Sequence, residues 1–93
     1  MINITKSVAK KMRKKHGVSE LEVRQALINR TRCALRDTRE EHKTDPPTQW
    51  LISYTNDRRR LKVCFIIRDG EVVVKTAYEP NSTETFIYEK EAT

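Results

Sequence analysis

Apolar positions along this chain follow a helical period first and an alternating period later. Ile4, Val8, Ala9 and Met12 recur at i, i+4, i+5 and i+8, the spacing of one helix face. Lys6, Lys10, Arg13 and Lys14 fall on other faces, so the pattern predicts an amphipathic helix over residues 4–16. Gly17 is a stop signal, because glycine takes the left-handed conformation that closes many helices. Ser19 with Glu22 three residues later forms a capping box, which predicts a second helix running to about Asn29. Val23, Ala26, Leu27 and Ile28 are its expected inward positions. Residues 29–35 lack a clean period, and part of them can pair as a short edge strand.

The period changes after Pro46-Pro47, a pair that forbids helix and biases Asp45 toward extended backbone. Over residues 49–55, Trp50, Ile52 and Tyr54 alternate with Leu51, Ser53 and Thr55. Asn56-Asp57 is a turn signal. Leu61, Val63, Phe65 and Ile67 then alternate with Lys62, Cys64 and Ile66. Asp69-Gly70 is a strong hairpin signal, and residues 72–78 make the third strand. Asn81 and Glu84 repeat the capping spacing, with Phe86 and Ile87 on a short last helix. The expected fold is therefore α+β: two N-terminal helices packed on a small antiparallel sheet of three to four strands, then a short C-terminal helix, all in one domain over residues 1–93. Lys62, Lys75 and Arg68 are placed by alternation on a sheet face left partly open. Lys75 would lie opposite or diagonal to Lys62 if the hairpin sets that register.

Charge narrows the partners. Residues 1–32 hold nine Lys/Arg against two Glu, a net +7, whereas the remaining residues are at −1. A basic N-terminal third points to an anionic partner. No window approaches the ~18 uncharged apolar residues of a membrane helix, and Lys6, Lys10 and Lys11 interrupt any leader-like core, so a cytoplasmic protein with no membrane partner is expected. Cys33 and Cys64 have no metal spacing, and Cys64, among Val63, Phe65 and Ile66, reads as a small buried hydrophobe. His16 and His42 do not complete a ligand set, and with two glycines there is no phosphate-cradling loop. Neither a metal nor a cofactor is expected.

Several segments resemble a known family. Lys15-His16-Gly17-Val18-Ser19-Glu20, then Arg60-Leu61-Lys62-Val63-Cys64-Phe65-Ile66, then Val74-Lys75-Thr76-Ala77-Tyr78 and the closing Glu84 and Tyr88 are similar to BrnT-type toxins of the RelE/ParE-like group. The resemblance spans most of the chain. It implies a RelE-like fold and the toxin component of a bacterial type II toxin-antitoxin system: a metal-independent ribonuclease that cleaves RNA, free or ribosome-bound, inhibits translation and is held by a cognate antitoxin. The chain departs from that pattern at Thr76-Ala77-Tyr78-Glu79-Pro80, where such toxins usually have Ser-Ala-Arg and further basic residues. Its Thr44-Asp45-Pro46-Pro47-Thr48 loop, with the Lys75–Asn81 block, resembles instead a small subgroup often labelled ADP-ribosyl-dinitrogen reductase hydrolases. Hydrolases of that kind use clusters of metal-binding acidic residues, which this sequence does not show.

Metal-free RNA cleavage needs a base, an acid, cations for the phosphorane and a phosphate held in line. Arg39, Glu40, Glu41, His42 and Lys43 lie within five residues. The expected catalytic set is Glu40 as base, His42 as acid, Arg39, Lys62 and Lys75 on the phosphate, and His16 at the rim; histidine suits proton transfer near neutral pH and arginine suits bidentate phosphate contact. Lys10, Lys11, Arg13, Lys14, Lys15 and Arg60 are the expected RNA-binding cations. The alternative is a non-catalytic module that binds RNA, the ribosome or a protein through the same basic helix. In that case His16 simply complements a helix C-terminus and Lys62 and Lys75 are solvent-facing strand residues.

Overall fold

A computed structural model of the chain describes residues 1–39 and 44–93. Among these the element order is β1 (Ile2–Asn3), α1 (Lys6–His16), α2 (Glu20–Ile28), β2 (Leu35–Arg36), β3 (Gln49–Tyr54), β4 (Arg60–Arg68), β5 (Glu71–Tyr78) and α3 (Ser82–Glu91). The strands form one five-stranded sheet in the order β1-β5-β4-β3-β2. The β2 to β5 pairings are antiparallel, and β1 runs parallel to β5 through Ile2–Val72 and Asn3–Val73. The α+β class holds, but the sheet is larger than the expected three or four strands and is mixed. The extra strands are two residues each, too short to display a period of two.

Local signals explain the element ends. Thr5 caps α1, its hydroxyl accepting from the Val8 N–H, so the helix starts two residues later than Ile4. Gly17, at φ +62°, closes it by donating to the Arg13 carbonyl at 3.0 Å. Ser19 and Glu22 form the reciprocal capping box of α2, and Asn81 and Glu84 form that of α3. Asp69 and Gly70 both take positive φ in the β4–β5 turn, the backbone of a tight hairpin whose twist matches its strands.

Leu51, Leu61, Val63, Phe65, Val74 and Ala77 line one face of the sheet and are buried with Met12 of α1, Val18, and Val23, Ala26 and Leu27 of α2. Ile28, expected inward, is 73% exposed, because α2 ends there and its buried stripe has rotated past. The opposite face, expected to stay partly open, is crossed by α3, whose Tyr88 packs its ring 5.6 Å from Trp50. Lys75 does not oppose Lys62. The ladder shifts between Cys64, which pairs with Thr76, and Phe65, which pairs with Val74. Lys75 is thus the extra residue of a bulge and is exposed.

Arg59 ties three of these elements together. Its guanidinium donates to Glu22 at 3.0 and 3.1 Å, to Glu79 at 2.9 Å, and to the Gly17 and His16 carbonyls at 2.9 and 3.3 Å. One side chain therefore satisfies carbonyls left over at the C-terminus of α1, the capping carboxylate of α2 and the residue after β5.

Candidate functional site

The face that α3 crosses carries a lysine where a solvated residue was expected. Lys62 stands opposite Ile52 of β3 and Tyr78 of β5, and it is only 5% exposed. Its ammonium donates to Glu84 Oε2 at 2.7 Å and lies 4.6 Å from the Trp50 ring centre and 5.5 Å from that of Tyr78. Glu84 is itself fixed by its capping role: Oε1 accepts the Asn81 N–H at 3.0 Å, while Oε2 accepts both Lys62 and the Tyr78 hydroxyl, the latter at 3.2 Å. Local helix chemistry thus sets the carboxylate, and strand register brings lysine and phenol to it.

Lys62, Trp50 and Glu84 border a cleft of about 510 Å3, closed on its other side by Arg36, Asp37, Thr38 and Arg39 and by Ile87 of α3. Asp37 accepts both Nε and Nη2 of Arg39, at 3.1 and 3.0 Å, and its own N–H donates to the Thr48 carbonyl. The Asp45-Pro46-Pro47-Thr48 turn is braced by the Thr44 hydroxyl, which donates to the Pro46 carbonyl at 2.7 Å and lies 3.1 Å from the Thr48 hydroxyl.

The electrostatics hold this cluster in one protonation state. Burial alone would push the Glu84 carboxyl up, but the hydrogen bonds from Lys62 and Asn81 outweigh it and keep the group below its ordinary 4.5. Burial likewise works against the Lys62 ammonium, and its bonds to Glu84 and Tyr78 reverse this, leaving it above 10.5. Burial raises the Tyr78 phenol above 10.0 and the Cys64 thiol above 9.0. At neutral pH the site therefore holds a cation, a carboxylate and a protonated phenol. A carboxyl with a lowered folded-state pKa stabilises the fold above its unfolded value, and that contribution is lost as pH falls through the folded one. Lys62 and Tyr78, both raised, stabilise at lower pH and lose their contribution as pH rises through their folded values. Melting temperature should accordingly decline below about pH 4.5 and above about pH 10. Glu84→Gln should flatten the acid limb, as thermal melts across pH will check; an acid limb unchanged in that variant contradicts the assignment.

The residues expected from sequence separate into groups. Lys62 and Arg39 do line one cleft. Glu40 and His42 lie outside the described residues. Lys75 sits on the bulge and does not line the cleft. His16, the last residue of α1, stacks on Tyr78 with ring centres 5.3 Å apart, so Tyr78 stands between His16 and the lysine. Lys10, Lys11, Arg13, Lys14 and Lys15 are exposed on α1, which packs on the sheet face away from the cleft. The basic helix and the cleft therefore lie on opposite sides of the sheet. Glu84, Tyr78 and Trp50 enter the site without having been assigned to it; the sequence signals for Glu84 were its capping distance from Asn81 and its place among the residues that carry the family resemblance. Cys33 and Cys64 are free thiols, and among the described residues no group of three His, Cys, Asp or Glu could hold a metal. No described helix is long and apolar enough to cross a membrane. Comparison of the chain with protein-family models and with curated proteins finds no match.

Proposed function

We propose that the chain is an RNA-cleaving toxin whose reaction takes place in the Lys62 cleft. The observation that carries this reading is the buried lysine, held charged beside a carboxylate and a protonated phenol at the base of a cleft rimmed by Arg36 and Arg39. Such a set supplies the base and the cations of metal-free transesterification. Glu84 takes the proton of the 2′-hydroxyl, whose oxygen attacks phosphorus. Lys62 and the rim arginines stabilise the charge that develops on the phosphorane. The departing 5′-oxygen takes its proton from water in the open cleft, leaving a cyclic phosphate and a 5′-hydroxyl, while Tyr78 holds Glu84 from behind through its hydroxyl. The layout of two helices, an antiparallel meander and a closing helix that carries Glu84 and Tyr88 is compatible with the BrnT-type resemblance, which adds an antitoxin as the restraining partner.

Glu40 and His42 remain the alternative base and acid suggested by the sequence. Induced expression in a bacterium, with growth and RNA integrity scored, tests both assignments. Growth arrest with fragmented RNA is expected for the wild type. If Glu84→Gln loses toxicity while Glu40→Ala and His42→Ala keep it, the cleft carboxylate does the chemistry; the reverse pattern assigns it to Glu40 and His42. Unaffected growth and intact RNA at high expression would sink the ribonuclease reading altogether.

One observation favours a second, non-catalytic use. Five cations of α1 are exposed on the face away from the cleft, where they can hold RNA, the ribosome or an acidic protein without any chemistry. Replacing Lys10, Lys11, Arg13 and Lys14 with Ala should weaken RNA binding across sequences and reduce its salt dependence. Affinity and salt slope both unchanged in a filter-binding titration would remove α1 from the interface.

A further inference from the structure

A second hollow lies across α3 from the cleft. It measures about 260 Å3 and is bordered by Arg32, Tyr54 and Arg60 and by Thr85, Tyr88 and Glu89 of α3. That is below the ~300–1,000 Å3 of a complete small-molecule site, and suits one unit of a longer ligand. Tyr54 is 48% exposed, with the Arg60 guanidinium carbon 5.7 Å from its ring centre. Arg60 is otherwise held by the Thr85 hydroxyl at 3.4 Å, and Arg32 by the Glu89 backbone carbonyl at 3.2 Å. Neither guanidinium forms an ion pair among the described residues, so two cations flank an exposed aromatic ring with their charge unspent.

The helix between the two hollows has matching geometry. Glu84, Ile87 and Glu91 border the cleft, and Thr85 and Glu89 border the hollow. At 3.6 residues per turn, the crest between these rows is Phe86 and Lys90, and Phe86 is 65% exposed. A ligand passing from one hollow to the other meets a second aromatic ring and a further cation on the way.

The geometry points to a single-stranded RNA that crosses α3, with its reacting phosphate in the Lys62 cleft and a flanking nucleotide in the second hollow. There its base stacks on Tyr54 and its phosphate is held by Arg32 and Arg60. Stacking on an aromatic ring combined with guanidinium contacts is the general chemistry of single-strand recognition, and an acidic peptide would have no use for the ring. This assignment rests on the RNA reading of the cleft and names the surface that holds the substrate next to it.

The test is fluorescence anisotropy with a labelled, uncleavable 2′-O-methyl oligoadenylate long enough to span both hollows. Tyr54→Ala and Arg60→Ala should each weaken binding by about fivefold or more, and Tyr54→Phe should keep most of the affinity, because the ring and not the hydroxyl stacks. Both substituted side chains are exposed, so the fold is retained, as unchanged melting will verify. With cleavable RNA, Tyr54→Ala should raise KM and leave kcat nearly unchanged. Wild-type affinity in both alanine variants overturns the second hollow while leaving the cleft reading intact. A wild-type chain that binds no oligonucleotide overturns both. Equal displacement by polyglutamate, weakened equally by Tyr54→Ala, replaces RNA with an acidic protein.

Discussion

Lys62→Met is expected to abolish toxicity, cutting RNA cleavage by about 10²–10³-fold, the usual cost of removing a preorganised charge from a transition state. The same change should lower stability, because Glu84 loses the partner at 2.7 Å that offsets its burial. Losing one member of a buried pair costs ~3–5 kcal/mol in deep interiors. The Glu84 side chain is 21% exposed and keeps its bond to the Asn81 N–H, so a smaller loss, about 1–2 kcal/mol, is expected here. The double variant Lys62→Met with Glu84→Gln separates the roles. Glutamine still serves the capping box and leaves no unpaired charge, so melting temperature should recover while cleavage stays lost. Should cleavage recover as well, the pair is only a clamp that docks α3 on the sheet. Full toxicity of Lys62→Met would remove the cleft from the mechanism.

The largest loss of stability is expected at Arg59. Arg59→Ala removes bonds to two carboxylates and two backbone carbonyls from a side chain that is 26% exposed. Hydrogen bonds to charged groups contribute ~1.5–3 kcal/mol each before mutual discount, and the partly exposed bond to Glu79 adds little. A total of about 2–4 kcal/mol follows, which for a chain of this length lowers Tm by roughly 10 °C or more. Arg59→Lys should recover little, since one ammonium cannot serve carbonyls and carboxylates on three sides. Equilibrium urea unfolding will measure it, and a variant as stable as the wild type would show that the α1 terminus and the Glu22 cap hold without this arginine.

Much of the frame was legible before any coordinates. Residue types that act on their own backbone are readable locally: Gly17 for its left-handed stop, Ser19 with Glu22 and Asn81 with Glu84 for their caps, Asp69-Gly70 for its turn. The long strands followed from alternation, since Leu61, Val63 and Phe65 bury one face whatever lies beyond. The two-residue strand at Ile2 escaped, and the edge strand expected within residues 29–35 forms only at its very end, Leu35–Arg36, for pairing at that length is imposed by the neighbouring strand.

The site itself was decided by tertiary structure. Alternation placed Lys62 correctly on the face opposite the core, yet only the path of α3 determined that this face is covered and that the lysine is buried. A bulge between Cys64 and Phe65 turned Lys75 away; one inserted residue alters register without leaving a mark in the hydrophobic pattern. Arg59 was one arginine among three in a row, and its role depends on α1, α2 and β5 converging on it from distances of twenty to more than forty residues along the chain. By itself the sequence determined the helices, the long strands, the turns and the basic N-terminal third, all set by neighbouring residues. Which charges meet, and whether they meet in water or beneath a helix, was decided only when segments far apart in the chain packed together.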